Sequence, residues 1–373
     1  MFELDQEISE LKGKGLFRSL RKLSSAQGPE VVIDGRKVLN FCSNNYLGLA
    51  NDPRVIQGAI EAVQKYGAGS GSARLISGNF SLQEELEVKL SQFKGCEAAL
   101  LFNSGYHANI GVIPAIAGEG DLIFSDEFNH ASLIDGCRLS KAETIIYRHN
   151  DLEHLEALLK GREKTRKIII TEAVFSMEGD VCPLKELIAL CEKYDAMIYL
   201  DEAHAVGIFG ERGQGLLEKS HPRVISMGTL GKAFGSYGAF VCGSKSLKEF
   251  LINKARSFIF TTSLPPAVIG ASLAALKIIE TEPERRKKLW ENIDYCRGAI
   301  HGAPTPIISI RIGPAEETMQ ISQKLFEKGI YLQGIRPPTV PEGTSRLRLT
   351  LMATHTKEQI DSLLKGLAWI QKK

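Results

Sequence analysis

Short apolar runs alternate with amphipathic stretches through the middle of the chain. The stretch SLQEELEVKLSQFKG repeats its apolar positions with a helical period and ends at Gly95, which suits a helix C-cap. The apolar runs carry few polar positions, as is typical of parallel strands covered by helices on both faces. We therefore predict an α/β domain with a mostly parallel sheet over residues 46–275. The strand-like runs are AALLF, DLIFS, KIIITE, MIYLDE, VISMGT and GAFVCGS.

The first 45 residues show a different pattern. Leucine and isoleucine recur at helical spacing from residue 4 to residue 23, with Gly13 and Gly15 between two halves. This spacing predicts an amphipathic helix, a kink and a second short helix. The segment VVIDGRKVLNF predicts a hairpin that turns at Asp34-Gly35. We expect residues 1–45 to form a helical arm and hairpin.

The chain after about residue 275 again alternates helix and strand patterns, in shorter pieces. These pieces are KKLWENIDYCRGAI, IISIRI, EETMQISQKLFEKG and RLRLTLM, followed by a last helix over residues 356–372. We expect residues 276–373 to form a smaller α+β domain.

Composition limits the classes of function. The 373 residues include 46 basic and 44 acidic side chains, for a net charge of +2. Since no basic block stands out, nucleic acid is not an expected partner. Seven scattered cysteines without a C-x-x-C pair suggest reduced thiols. We find no signal peptide pattern and no apolar stretch that suits a membrane span, so we expect a cytoplasmic protein with no membrane partner.

Three consecutive predicted strands end in polar clusters. Ser176 follows the first, Asp201 and His204 follow the second, and Thr229 and Lys232 follow the third. The clusters are about one βα unit apart, and ligands of open α/β sheets bind beyond the carboxyl ends of the strands. The sequence therefore predicts that these side chains share one edge of the sheet.

Lys232 lies in the glycine-rich segment GTLGKAFG. Glycines allow the backbone to approach a bound group closely, which favours a catalytic lysine. A phosphate-binding P-loop would need a hydroxyl residue directly after the lysine, but Ala233 is there. An ordinary surface turn remains an alternative.

Asp201 and its neighbours allow several interpretations. Asp201 could cap a helix, or it could hold a pyridinium nitrogen in its charged form. A metal site has less support because no third ligand lies at a suitable spacing, and we expect no metal. The segment NSGYHAN opens a predicted helix and could bind phosphate, whereas the glycine-rich segment at residues 67–74 fails the dinucleotide fingerprint at Ser72. His130 follows another predicted strand and could be structural or part of the same edge.

Taken together, these motifs resemble the α-oxoamine synthases, a branch of the fold-type-I pyridoxal-phosphate enzymes related to aspartate aminotransferase. The resemblance covers nearly the whole chain, although the segment over residues 298–310 is shorter than the family pattern. It implies an aspartate-aminotransferase-like large domain and a smaller C-terminal domain. The matching motifs are FCSNNYLGLA, GSGSARLISG, LLFNSGYHAN, NHASLIDG, TEAVFSMEGD, DEAHAVGIFG, GTLGKAFGSYG and FTTSLPP.

The resemblance implies a role for each residue at a matching position. Three residues would be catalytic: Lys232 as the Schiff-base lysine that moves the α-proton, His130 stacked on the cofactor ring, and Asp201 at the ring nitrogen. The other cofactor-binding residues would be Ser176 and His204 at the ring hydroxyl, and Gly105, Tyr106, Thr229 and Thr262 at the phosphate. The substrate-binding residues would be Arg18, Asn44, Arg336 and Thr339, with Arg21 as an alternative to Arg18.

The resemblance also implies partners. The segment GIRPPTVPEGTSRLRLT is most similar to family members that condense L-alanine with a pimeloyl thioester, carried by coenzyme A or a carrier protein. We expect a homodimer, because the cluster Thr261-Thr262-Ser263 has no obvious role within its own subunit. In the family, Thr261 or Thr262 would reach the phosphate of the other subunit. The alternatives are a relative that uses glycine and an acetyl thioester, and a catalytically silent partner subunit of the same fold.

Overall fold

A seven-stranded sheet forms the centre of the larger of two units. The computed structural model describes residues 3–162 and 165–368. The strands are β1 (Glu30–Ile33), β2 (Arg36–Asn40), β3 (Ala98–Phe102), β4 (Leu122–Asp126), β5 (Glu143–Tyr147), β6 (Lys167–Glu172), β7 (Ala196–Asp201), β8 (Val224–Thr229), β9 (Ala239–Gly243), β10 (Ile307–Gly313), β11 (Ile330–Tyr331), β12 (Gly334–Ile335) and β13 (Ser345–Thr350). The α-helices are α1 (Leu4–Gly13), α2 (Pro53–Tyr66), α3 (Ser81–Lys94), α4 (Gly105–Ile116), α5 (Ala131–Leu139), α6 (Leu152–Leu159), α7 (Leu184–Tyr194), α8 (Lys245–Lys254), α9 (Arg256–Ile259), α10 (Pro266–Thr281), α11 (Pro283–Arg297), α12 (Ala315–Glu327) and α13 (Lys357–Leu367).

The two units divide the chain differently from the expected domains. The large unit contains residues 49–176 and 180–286, and the small unit contains the N-terminal residues to 48, residues 177–179 and the chain from 287 onward. The N-terminal segment is therefore grouped with the C-terminal residues in the small unit. The reason is strand pairing, since β2 pairs in parallel with β11.

The large sheet has the strand order β3-β9-β8-β7-β6-β4-β5. Only β9 runs antiparallel to its neighbours, so the predicted α/β fold with a mostly parallel sheet is confirmed. Every residue of β4, β6 and β8 is buried, as expected for strands covered on both faces. The strand β5 was not predicted, because it lies at the sheet edge and its first four residues are not buried.

Parallel pairing aligns the carboxyl ends of the strands. Glu172 at the end of β6 lies in register with Asp201 at the end of β7, and Asp201 lies in register with Met227 of β8. The segments that follow these strands therefore leave the sheet at one edge, as predicted.

In the small unit, the predicted hairpin is present. Asp34 and Gly35 have φ values of 50° and 77° at its turn, in the left-handed region that such turns require. The first predicted helix corresponds to α1, but the second helix predicted near residues 16–23 is wrong. Gly15 has φ 66°, and Leu23 instead forms a β-bridge with Ile33 of the hairpin.

The predicted C-terminal elements correspond to α11, β10, α12, β13 and α13. Of the last predicted helix, residues 369–372 lie outside the described residues. All seven cysteines have free thiols. Within the described ranges, we find no helix of the length and apolar character that crossing a membrane requires.

A charged clamp holds the connection between β6 and α7 in the large unit. Nδ1 of His149 lies 2.9 Å from Oδ1 of Asp126, and Nε2 of His149 lies 2.8 Å from Oδ2 of Asp180. The ring also stacks on Phe128, with 4.5 Å between centroids. Burial lowers the pKa of His149, but the hydrogen bonds to Asp126 and Asp180 outweigh it and raise the pKa to about 10. Both ring nitrogens therefore donate, and the imidazolium joins the end of β4 to the segment after Ser176.

We predict that His149→Gln destabilises the chain in a pH-dependent manner. A histidine whose pKa is raised on folding contributes fully below its ordinary pKa of 6.5, and the contribution disappears as the pH rises through about 10. The loss in free energy of unfolding should be roughly 1–3 kcal/mol near neutral pH and should shrink towards pH 10. Urea unfolding over this pH range measures it.

His154→Gln is the matched control, because the ring of His154 accepts one backbone hydrogen bond from Arg148 and has no carboxylate partner at Nδ1. A loss for His149→Gln that stays constant with pH would contradict the clamp.

Candidate active site

Asp201 is a buried carboxylate at the carboxyl end of strand β7 in the large sheet. Its side chain is held by two donors: the backbone nitrogen of Ala203 at 2.9 Å from Oδ1, and Nδ2 of Asn109 at 2.9 Å from Oδ2. Turns and not a helix follow Asp201, which removes the helix-cap alternative. A buried charge with hydrogen-bond donors on both oxygens is well placed to attract a cationic group.

The charges of Asp201 and Lys232 both act on the ring of His130. Burial lowers the pKa of His130 below its ordinary value, Asp201 acts in the opposite direction, and Lys232 lowers the pKa further. Hydrogen bonds through Asn109 and Ser132 join Asp201 to the ring of His130, and Lys232 lies near enough for its charge to act on the same ring.

Glu172 belongs to the same cluster and was missed by the sequence reasoning. It is 3% exposed, and its Oε1 accepts a hydrogen bond from the backbone nitrogen of His130 at 2.6 Å. Burial raises the pKa of Glu172 well above its usual range, and the charge of Asp201 raises it further. The signal was available, because KIIITE ends in a carboxylate on the strand that precedes Asp201.

The start of α4 lies against the end of β8. A Cβ atom at Gly105 would lie only 2.9 Å from Cγ2 of Thr229, so a glycine suits this position. Ser104 caps the helix by accepting from the backbone nitrogen of His107 at 3.2 Å. The first N–H groups of a helix have no partner within it and favour an anion. The hydroxyl of Tyr106, the second residue of α4, donates to the carboxylate of Asp135.

Ser176 and His204 are buried in the segments after β6 and β7. Thr262 is exposed, in the segment after α9. Two residues of the cluster Thr261-Thr262-Ser263, for which the sequence showed no obvious role, form hydrogen bonds with other segments of the same chain. The amide of Asn103 donates to Oγ1 of Thr261 at 2.9 Å, and the hydroxyl of Ser263 accepts from Gln83.

The predicted substrate residues lie in the small unit, and three of them line one cavity of about 530 Å³. They are Arg18, Arg336 and Thr339. The side chain of Arg336 is buried, and its Nε has no hydrogen-bond acceptor among the described residues. Burial lowers the pKa of Arg336, and the charge of Arg18 lowers it further. Two close guanidinium groups in a cavity favour an anionic ligand.

Arg21 and Asn44 have other contacts in the same unit. Arg21 lines the cavity, but its Nη2 donates to Gln323 at 2.8 Å and its guanidinium lies 4.1 Å from the centre of the Phe326 ring. Asn44 does not line the cavity, and its Oδ1 accepts from the guanidinium of Arg348 at 3.2 Å. Arg18 also donates from Nη2, to the carbonyl of Pro337 at 3.1 Å, but Arg21 in addition pairs with the carboxylate of Asp34 at 3.5 Å. Arg18 therefore keeps more of its donors for a ligand than Arg21 does.

The turn that carries Lys232 ends at Gly235, a position where a side chain would be strained and would overlap the backbone. The backbone nitrogen of Gly235 donates to the carbonyl of Lys232 at 2.9 Å. Gly235 has φ 64°, and a Cβ there would overlap the backbone nitrogen of Ala50. At Gly231, on the other side of the lysine, the nearest atom to an added Cβ is the carbonyl oxygen of Ser236 at 3.7 Å.

This chain is similar to known proteins over nearly its whole length. The model of the family "Aminotransferase class I and II" matches residues 36–367. An 8-amino-7-oxononanoate synthase of Geotalea daltonii is 49% identical, over 99% of this chain and 97% of the relative. One of Geobacter sulfurreducens is 48% identical, over 98% and 97%. A solved serine palmitoyltransferase from S. paucimobilis with a bound PLP–myriocin aldimine has a TM-score of 0.93 at 32% identity, over 99% of this chain and 96% of that one.

We predict that Gly235→Ala destabilises the chain by roughly 2–4 kcal/mol, because it combines a strained backbone with a backbone overlap. Gly231→Ala is the matched control and should change stability little. Thermal unfolding of both variants measures the difference. Equal stability of the two variants would contradict the close approach at Gly235.

Proposed function

This chain belongs to the aminotransferase class I and II family, and we propose that it condenses L-alanine with a pimeloyl thioester, with loss of carbon dioxide. The product would be 8-amino-7-oxononanoate, a step of biotin biosynthesis, and the cofactor would be pyridoxal phosphate. The observation that carries the choice of substrates is the similarity to 8-amino-7-oxononanoate synthases, at 49% identity over 99% of the chain.

The side chains of the large unit fit this cofactor. A pyridine nitrogen that carries a proton needs a buried anion, and Asp201 is one. An aldehyde needs an amine, which Lys232 offers beside His130. A phosphate suits the first N–H groups of α4, where Gly105 leaves room beside Thr229. The donors and acceptors therefore match three polar groups of pyridoxal phosphate: the ring nitrogen, the aldehyde and the phosphate.

When bound, pyridoxal phosphate supplies an electron sink for the negative charge that develops at the α-carbon of the amino acid. Asp201 would keep the proton on the ring nitrogen, because a nearby negative charge favours the protonated form. Lys232 would hold the cofactor through Nζ, and the same amine, once alanine has replaced it on the cofactor, would take and return the proton at the α-carbon. His130 would lie against the ring, and Ser176 and His204 would bind the ring hydroxyl.

The small unit supplies cations for carboxylates. L-alanine has one carboxylate, and a pimeloyl thioester has a second at the far end of its acyl chain. We assign Arg336, with Thr339 beside it, to the carboxylate of alanine, and Arg18 to the distal carboxylate of the acyl chain. This assignment is supported by the cavity that both arginines line and by the Nε of Arg336, which has no acceptor there.

The proposed assembly is a homodimer in the cytoplasm in which Thr262 reaches the phosphate of the other subunit. The exposure of Thr262 supports this assignment. Asn103 and Thr261 support it as well, because their hydrogen bonds hold the backbone on which Thr262 lies.

We predict that the purified protein absorbs visible light and that Lys232→Ala abolishes this absorption. Borohydride reduction followed by peptide mapping should place the cofactor on Lys232. Lys245→Ala, at the exposed start of α8, is the matched control and should keep the colour. Cofactor attached to another lysine would overturn the assignment.

We predict that Arg18→Gln weakens selection for the distal carboxylate. Loss of one hydrogen-bonded charge should raise KM for pimeloyl thioester about 10–100-fold and leave kcat nearly unchanged. KM for a heptanoyl thioester, which lacks the distal carboxylate, should not change.

Two controls define this experiment. Lys14→Gln removes the same charge from the N-terminal segment and should have no effect. A larger effect of Arg21→Gln would transfer the role to Arg21. Preference of the unmodified enzyme for glycine and an acetyl thioester would overturn the proposed substrates but not the cofactor.

A further inference from the structure

A chain of hydrogen bonds beneath the site joins Asp201 to His130 through two residues that have no assigned role. These residues are Asn109 of α4 and Ser132 of α5, each 1% exposed. Nδ2 of Asn109 lies 2.9 Å from Oδ2 of Asp201 and 2.9 Å from Oγ of Ser132. Oγ of Ser132 lies 2.8 Å from Nδ1 of His130.

The direction of the hydrogen bonds from Asp201 to Ser132 follows from the groups that form them, whereas the direction of the last one depends on the tautomer of His130. A charged carboxylate only accepts, so the amide of Asn109 must present its nitrogen to Asp201. Its oxygen faces Tyr199, whose hydroxyl donates to it at 2.8 Å. The second hydrogen on Nδ2 then goes to Ser132, which accepts through Oγ. The hydroxyl hydrogen of Ser132 is left for Nδ1 of His130.

A second donor reaches the same ring nitrogen. The backbone N–H of Ser132 lies 3.2 Å from Nδ1 of His130, and a backbone N–H cannot accept. Two donors thus converge on Nδ1, which therefore carries no hydrogen. The hydrogen of the imidazole is on Nε2.

We propose that Asn109 and Ser132 hold His130 as the neutral tautomer with its hydrogen on Nε2, so that His130 donates a hydrogen bond and does not transfer protons. The tautomer follows from the hydrogen bonds alone, and the inference rests on the proposed function only for the reaction in which His130 takes part. Asn109 and Ser132 are positioning residues, because they act on the site through Asp201 and His130. Proton transfer at the α-carbon then falls to Lys232.

The environment of the His130 ring also favours its neutral form. Burial lowers the pKa of His130, and Lys232 lowers it further, against the opposing charges of Asp201 and Asp135. Glu172 of β6 contacts the backbone of His130, and burial raises the pKa of this carboxyl group, which favours its neutral form.

Nitrogen NMR of the full-length protein labelled in its histidines tests the inference directly. The spectrum is recorded on the protein as purified and with added pyridoxal phosphate, and His130 is assigned by its absence in His130→Gln. We expect a pyridine-type shift for Nδ1 and a pyrrole-type shift for Nε2 at neutral pH. A protonated Nδ1, in either the other tautomer or the charged ring, overturns the proposal.

Variants of Asn109 and Ser132 test this chain of hydrogen bonds. Ser132→Ala should raise the population of the His130 tautomer with a hydrogen on Nδ1 at least about tenfold, as expected for the loss of one hydrogen bond. Asn109→Ala should act in the same direction. Asn292→Ala is the matched control, since it removes a buried asparagine of the small unit that donates to two carbonyls. It should lower the thermal midpoint and leave the His130 signals unchanged.

These outcomes are independent of the substrates. An unchanged His130 spectrum in folded Ser132→Ala, or an equal change in Asn292→Ala, overturns the proposal that Ser132 and Asn109 hold the tautomer of His130. This result would stand even if the condensation reaction is confirmed. A shifted tautomer in Ser132→Ala alone supports the proposal, even if another thioester proves to be the substrate.

Discussion

The burial of the Asp201 carboxylate is the constraint on which the rest of the site depends. A charged group removed from water needs donors or a cation in compensation. The structure supplies Asn109 and the backbone of Ala203 as donors. Glu172 lies in register beside Asp201, and two adjacent buried carboxyl groups do not both ionise readily. The raised pKa of Glu172 follows from this proximity and from its burial.

The neighbouring residues are arranged around that charge. The carboxyl group of Glu172 accepts from the backbone of His130, and the charges of Asp201 and Lys232 act on the imidazole of His130. The clamp of His149 between Asp126 and Asp180 holds the next segment along the edge of the sheet. Each contact joins two of the segments that follow the parallel strands, so the order of strands in the sheet determines which side chains meet.

Much of the fold could be predicted from the sequence, because strands buried on both faces are apolar throughout and the spacing of the strand-end residues matches βα units. The strand β5 could not be found this way, since an edge strand is exposed and carries polar residues. The place of the N-terminal segment depends on the pairing of β2 with β11, which are about 290 residues apart and share no local signal. The prediction of a second helix near residues 16–23 is wrong because the leucines of this segment are not buried, so no apolar contact stabilises a helix there.

The candidate site could be predicted in outline but not in its supporting contacts. Lys232, Asp201 and Thr229 follow apolar strands directly, so their common edge follows from topology. Asn109 lies inside a helix, and nothing in its local sequence indicates that its amide faces Asp201. Its role depends on the packing of α4 against the sheet, which only the structure describes.

Replacement of Asp201 by asparagine tests the central claim most directly, with turnover and cofactor content measured on the same sample. Asparagine has the same shape but cannot favour a protonated ring nitrogen. We predict that Asp201→Asn retains pyridoxal phosphate and loses about 100-fold or more in turnover, a typical cost for one preorganised electrostatic contact. Glu172→Gln, which keeps an oxygen acceptor for the backbone nitrogen of His130, should lose far less. Near-normal turnover of Asp201→Asn would contradict the account.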